Sequence, residues 1–82
     1  MSMTSMKINW QIIARRDLSN GSKLVFTLIN NCDPVCAMSC GQIADKLGMG
    51  DRSVFRDLQL LRRHGLIRAW KSRGHATIYQ VI

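Results

Sequence analysis

The sequence predicts a small α+β domain, a three-helix core followed by a C-terminal β-hairpin. Two observations lead there. Between residues 20 and 65, three segments carry apolar side chains at the three-to-four-residue spacing of a helix buried on one face, and turn-forming residues separate them. Beyond Gly65 the period shortens toward two and strand-forming side chains take over. The 82 residues leave room for one domain, assigned to residues 9–82, with residues 1–8 as a flexible N-terminal tail.

Taken in chain order, Trp10, Ile13 and Ala14 predict a short helix over residues 9–16. Ser19 is the candidate N-cap of the next helix, because its hydroxyl satisfies a free amide of the first turn. Leu24, Val25, Leu28 and Ile29 follow at helical spacing and predict a helix over 20–31 with one buried face. Asn30-Asn31-Cys32-Asp33-Pro34, with the only proline of the chain, is a loop. Ser39-Cys40-Gly41-Gln42 then fits a capping box, in which serine and glutamine satisfy each other's backbone amides. Cys40, Ile43, Ala44 and Leu47 form one stripe, and Gly48 stops the helix. After Gly48-Met49-Gly50-Asp51, a second helix carries Val54, Leu58 and Leu61 as its core stripe up to Gly65. Two short helices joined by a tight glycine-containing turn form a helix-turn-helix. Leu66 to Trp70 and Ala76 to Ile82 are rich in strand formers, and the glycine-containing Lys71-Ser72-Arg73-Gly74-His75 between them completes a hairpin. A helix, a helix-turn-helix and a terminal hairpin, in that order, make a winged helix arrangement.

Charge is unevenly distributed along this plan. Residues 1–51 hold five basic and four acidic side chains, a net +1, whereas residues 52–82 hold seven basic side chains against Asp57 alone, a net +6. Such a concentrated cationic end attracts polyanions, because phosphate contacts release condensed counterions. The competing reading is a basic face that serves only solubility.

Three stretches resemble the winged helix-turn-helix transcription regulators: Ile43-Ala44-Asp45-Lys46-Leu47-Gly48-Met49, Arg52-Ser53-Val54-Phe55-Arg56-Asp57-Leu58, and Leu61-Arg62-Arg63-His64-Gly65-Leu66-Ile67. The first resembles that family's "L-A-x-x-L-G-hydrophobic" helix, and the last its "L-x-x-x-G-L-I" passage from recognition helix to wing. The resemblance covers residues 18–82 and implies sequence-specific binding of double-stranded DNA. Repressors, adhesin-operon regulators and plasmid or phage replication initiators all share the pattern, so a transcription regulator and a replication or mobile-element accessory factor both stay open. Gly50 departs from it, standing where the family commonly has a Ser or Thr cap; glycine is tolerated there, and Asp51 complements the helix dipole.

On a wheel of roughly 100° per residue, Arg52, Arg56, Gln59 and Arg63 fall within about 50° of the direction opposite the Val54/Leu58/Leu61 stripe. Arg and Gln are the side chains that make bidentate contacts to guanine and adenine edges in the major groove. Arg52, Arg56 and Gln59, with Ser53 beside them, are therefore candidate groove contacts, and Arg63, farther along, a phosphate contact. Phe55 borders the core and this face; packing on the domain is the expectation, ahead of contact with a thymine methyl. Leu60 points away from a one-domain core and suits a protein contact. Lys71, Arg73 and His75 make a basic wing tip for phosphates or the minor groove. Ser39 and Gln42 open a helix whose amides and dipole suit a phosphate oxygen.

Cys32, Cys36 and Cys40 are spaced C-x3-C-x3-C. Three thiolates can hold an iron–sulfur cluster or, with His64 or His75, a zinc ion, which would make the domain a thiol or metal sensor. The spacing differs from the C-x2-C pairs of structural zinc sites, and Cys40 has a place in the core stripe, so free cysteines and no cofactor are expected. The chain has no glutamate, and neither histidine sits in a nucleophile or acid–base pattern, which argues against an enzyme. The N-terminus lacks the apolar core of a secretory signal and no apolar run approaches the roughly 20 residues of a membrane span, so a cytoplasmic protein is expected. A homodimer on DNA stays open, as does a winged-helix module that binds protein.

Overall fold

Side-chain caps and glycines set the element boundaries in the computed structural model, which describes residues 7–32, 35–71 and 77–82. The order is α1 (Trp10–Ile13), α2 (Asn20–Asn30), α3 (Cys40–Leu47), α4 (Asp51–Arg63), β1 (Ile67–Lys71) and β2 (Thr77–Val81). The described residues thus form a small α+β fold with four helices and an antiparallel C-terminal hairpin, in register from Ile67↔Val81 to Lys71↔Thr77. None of these helices is long and apolar enough to cross a membrane. The expected tail lies outside the described residues as far as Met6. At Lys7 the main chain is tied to the end of α2, its amide donating to Asn31 Oδ1 at 2.6 Å and its carbonyl accepting from Asn31 Nδ2 at 3.0 Å.

α3 carries the capping box that the sequence predicts. Ser39 Oγ accepts from the Gln42 amide at 3.1 Å, and Gln42 Oε1 accepts from the Ser39 amide at 2.9 Å. Gly48 ends the helix at φ 66°, a left-handed conformation that glycine adopts without strain, and the Met49 amide reaches back to the Ala44 carbonyl at 2.9 Å. α4 starts at Gly50 without a side-chain cap, and the helix dipole is met instead by Asp51 in the first turn and by Arg62 and Arg63 in the last. Gly65, at φ 72°, lets the Leu66 amide bond the Leu61 carbonyl at 3.0 Å and turns the chain into β1.

The core is the meeting of α2, α3, α4 and the inner face of the hairpin, with Val25, Ile43, Val54, Leu61 and Cys36 fully buried. The stripe expected on α4 is confirmed, Leu58 included. Several expectations need correction. On α2 the buried stripe is Ser22, Val25, Phe26 and Ile29, whereas Leu24 is 51% exposed. At the N-terminal end, α1 is a single turn capped by Asn9; Ile12 fills the core and Trp10 is 72% exposed. Cys40 is half-buried, its thiol directed at the Asp51 carbonyl at 3.5 Å, and the fully buried cysteine is Cys36. The cause is a feature no periodicity announces: Cys36 forms an antiparallel bridge with Tyr79, amide to carbonyl at 2.9 and 2.8 Å. The bridge occupies both main-chain groups of Tyr79 and draws the α2–α3 connection against β2. Leu60 also packs half-buried against the core, so it is not a free side chain awaiting a partner.

Two polar side chains, Ser22 and Asp57, are buried among the described residues. Asp57 of α4 is 7% exposed, and its Oδ1 accepts from Ser22 Oγ at 3.0 Å and from Ser19 Oγ at 3.2 Å. The carboxylate therefore sits at the N-terminus of α2, where unpaired amides and the helix dipole favour a negative charge, and α2 has no acidic residue of its own in that turn. Close approach requires Gly21: a Cβ there would lie 2.5 Å from Asp57 Oδ2. The contact fixes the rotation of α4 and hence what its opposite face presents to solvent.

Candidate nucleic-acid interface

With Val54, Asp57, Leu58 and Leu61 turned inward, α4 exposes Arg52, Ser53, Arg56, Gln59, Arg62 and Arg63. Gln59 and Arg63 border two shallow grooves, one of about 340 Å³ shared with Arg56 and Leu60, the other of about 380 Å³ shared with Arg62. The ion pairs among the described residues join Asp17 to Arg15 and to His64, so the four α4 arginines carry none there. Cationic side chains without local partners keep their hydrogen-bond donors available to an external acceptor.

The N-terminus of α3 lies beside the start of α4: the Cys40 thiol meets the Asp51 carbonyl, and a Cβ on Gly41 would stand 3.8 Å from Asp51 Oδ2. Ser39 and Gln42 are both exposed at that end, so they adjoin the first turn of α4 while completing their capping box. Lys71 is exposed at the end of β1, whereas Arg73 and His75 lie outside the described residues. The structure thus sets Ser39 and Gln42 beside the first turn of α4, where Arg52 and Ser53 are exposed, with Arg56, Gln59 and Arg63 exposed farther along the same helix.

Several side chains at or near this surface escape a reading of the sequence. Arg62 extends the basic face of α4; its position at the edge of the core stripe is the available signal. On the outer face of the hairpin the Arg68 guanidinium lies 5.8 Å from the Trp70 ring centroid and donates to Gln80 Oε1 at 2.9 and 3.1 Å. Arg68 and Trp70 alternate with the inward Ile67 and Ala69, a period-two signal already in the sequence. Phe55, expected to pack on the domain, is 56% exposed. The α4 stripe is already complete without it.

The cysteines have local roles. Cys32 directs its thiol at the Leu28 carbonyl at 3.3 Å, and burial, aided by the neighbouring Cys32 thiol, pushes Cys36 up to about 11. Burial likewise raises Cys40 and Tyr79. Among the described residues no group of three or more His, Cys, Asp or Glu side chains stands together to hold a metal ion. Away from the basic face, the Arg15 guanidinium at 2.6 and 2.9 Å holds the Asp17 carboxyl down at about 2.

No protein-family profile, curated protein or solved structure matches this chain.

Proposed function

We propose that the chain binds double-stranded DNA sequence-specifically as a winged helix-turn-helix, with α4 in the major groove and the hairpin as a wing against the backbone. A single observation carries the reading: the exposed face of α4 opposite the Val54/Leu58/Leu61 stripe carries Arg52, Arg56, Gln59 and Arg63, with Arg62 exposed at its flank, and none of these arginines has an ion pair among the described residues. An α-helix fits the major groove, and these are the side chains that pair bidentately with guanine and adenine. The exposed cap of α3 next to the start of α4 supports a phosphate contact by Ser39 and Gln42. Lys71, with Arg73 and His75, supplies backbone contacts from the wing. The role assigned is transcription regulation in the cytoplasm, by a monomer or by a homodimer on DNA; replication or mobile-element accessory binding uses the same surface. No catalytic step is assigned.

Selection of bound sequences from a random duplex pool tests the proposal. Enrichment of a common site, single or paired, is the expected result. A pool that stays random after repeated rounds would refute it and favour a protein-binding module.

A further inference from the structure

We infer that Phe55 is a specificity-determining residue that packs on the 5-methyl group of a thymine in the major groove, an inference that rests on the DNA-binding reading above. Large apolar side chains gain free energy by leaving water, yet this phenyl group stays 56% exposed on a helix whose other apolar residues are turned inward or half-buried. Its surroundings are polar and cationic. On the helix surface Arg52 lies three residues before it, Gln59 four after and Arg62 seven after, so the ring is set among the side chains suited to base edges and phosphates. It also belongs to the N-terminal half of α4, the half that enters a groove in helix-turn-helix docking and the half beside the α3 cap.

The chemistry of the occupant follows from that setting. A surface that meets only phosphates and hydrogen-bonding edges offers nothing to a phenyl ring. The major-groove edges of the four base pairs present donors and acceptors throughout, with one apolar group among them, the thymine methyl, and phenylalanine is among the side chains that contact it. Phe55 thus adds apolar selection to the polar selection of Arg52, Arg56 and Gln59. The same contact would accept the methyl of 5-methylcytosine at that position.

Deoxyuridine in place of thymidine removes the methyl and nothing else. Each thymidine of the enriched duplex is replaced singly, and affinities are measured for the wild-type chain, Phe55→Ala and Phe55→Leu, with thermal melts to show that the variants fold. Burying one methyl-sized group is worth about three- to fivefold in affinity. The wild type should lose that factor at one thymidine, Phe55→Ala should bind the thymidine and deoxyuridine duplexes equally there, and Phe55→Leu should retain part of the difference. Affinity for random duplex should not change in either variant. A wild type that binds the enriched duplex but is indifferent to every replacement overturns the inference while leaving DNA binding intact, and needs no variant to establish. A Phe55→Ala chain that folds yet keeps the wild-type preference for the methyl also overturns it. Failure of the wild type to prefer any duplex would overturn the DNA-binding reading itself.

Discussion

Replacing Gly21 by alanine sets packing against intrinsic helix propensity. Gly21 lies in the first turn of α2, where propensity alone would make alanine stabilising by up to about 1 kcal/mol. The new methyl carbon, however, would lie 2.9 Å from Met49 Cε and 2.5 Å from Asp57 Oδ2. The end of the Met49 side chain can swing away. Asp57 cannot move so freely, because its carboxylate is held by Ser22 at 3.0 Å and Ser19 at 3.2 Å inside the core. Hydrogen bonds to a charged group are worth about 1.5–3 kcal/mol each, so losing one outweighs the propensity gain and leaves a net cost of about 0.5–2.5 kcal/mol. In an Asp57→Ala background the clash with the carboxylate is gone, and Gly21→Ala becomes neutral or mildly stabilising. Urea denaturation of the wild type, both single variants and the double variant, followed by circular dichroism, should give a coupling of about 1–3 kcal/mol. Stabilisation of the wild type by Gly21→Ala, or additive effects, would refute the packing of Asp57 against the first turn of α2.

Leu58→Ala should destabilise the fold by about 2–5 kcal/mol, since Leu58 is only 3% exposed in a small core; a denaturant midpoint close to that of wild type would reject its burial. The Cys36 thiol, raised from 9.0 to about 11, holds its proton longer in the folded chain than in the unfolded one. Its contribution to stability is present below the ordinary thiol range and is lost as pH rises through about 11. Comparing denaturation near neutral pH and at pH about 10.5, Cys36→Ala should lose less stability than wild type, and equal losses would contradict the burial argument. Replacing Lys71 and Arg73 together by alanine should weaken binding to all duplexes by a similar factor and reduce the slope of log K against log salt by about one for each phosphate that the wing no longer neutralises. An unchanged slope in a folded double variant would remove the wing from the interface.

Legibility followed periodicity. The Val54/Leu58/Leu61 stripe, the Ser39–Gln42 capping box, the glycine stops at Gly48 and Gly65 and the hairpin all have local signals, and each recurs in the fold within a residue or two. The stripe of α2 is misphased by periodicity because one of its buried members is Ser22, a polar residue made compatible with the core by an acidic partner 35 residues away. Asp57 is unreadable for the same reason: a buried carboxylate and a solvated one look alike until the partner is in place. The Cys36–Tyr79 bridge is one residue long and has no period to detect. In the candidate interface, Arg52, Arg56, Gln59 and Arg63 follow from the α4 stripe by geometry alone. Phe55 does not, because its border position leaves its exposure to the shape of the neighbouring α3–α4 surface.

Base reading by α4 is tested most directly by the affinities of wild type, Arg56→Ala and Gln59→Ala for the enriched duplex and for a scrambled duplex of equal length, measured at several salt concentrations. Each substitution should cost about 1–3 kcal/mol on the enriched duplex and almost nothing on the scrambled one, with wild-type binding falling steeply as salt rises. Equal losses on both duplexes, or wild-type binding indifferent to salt, would contradict the proposal that this face of α4 reads DNA.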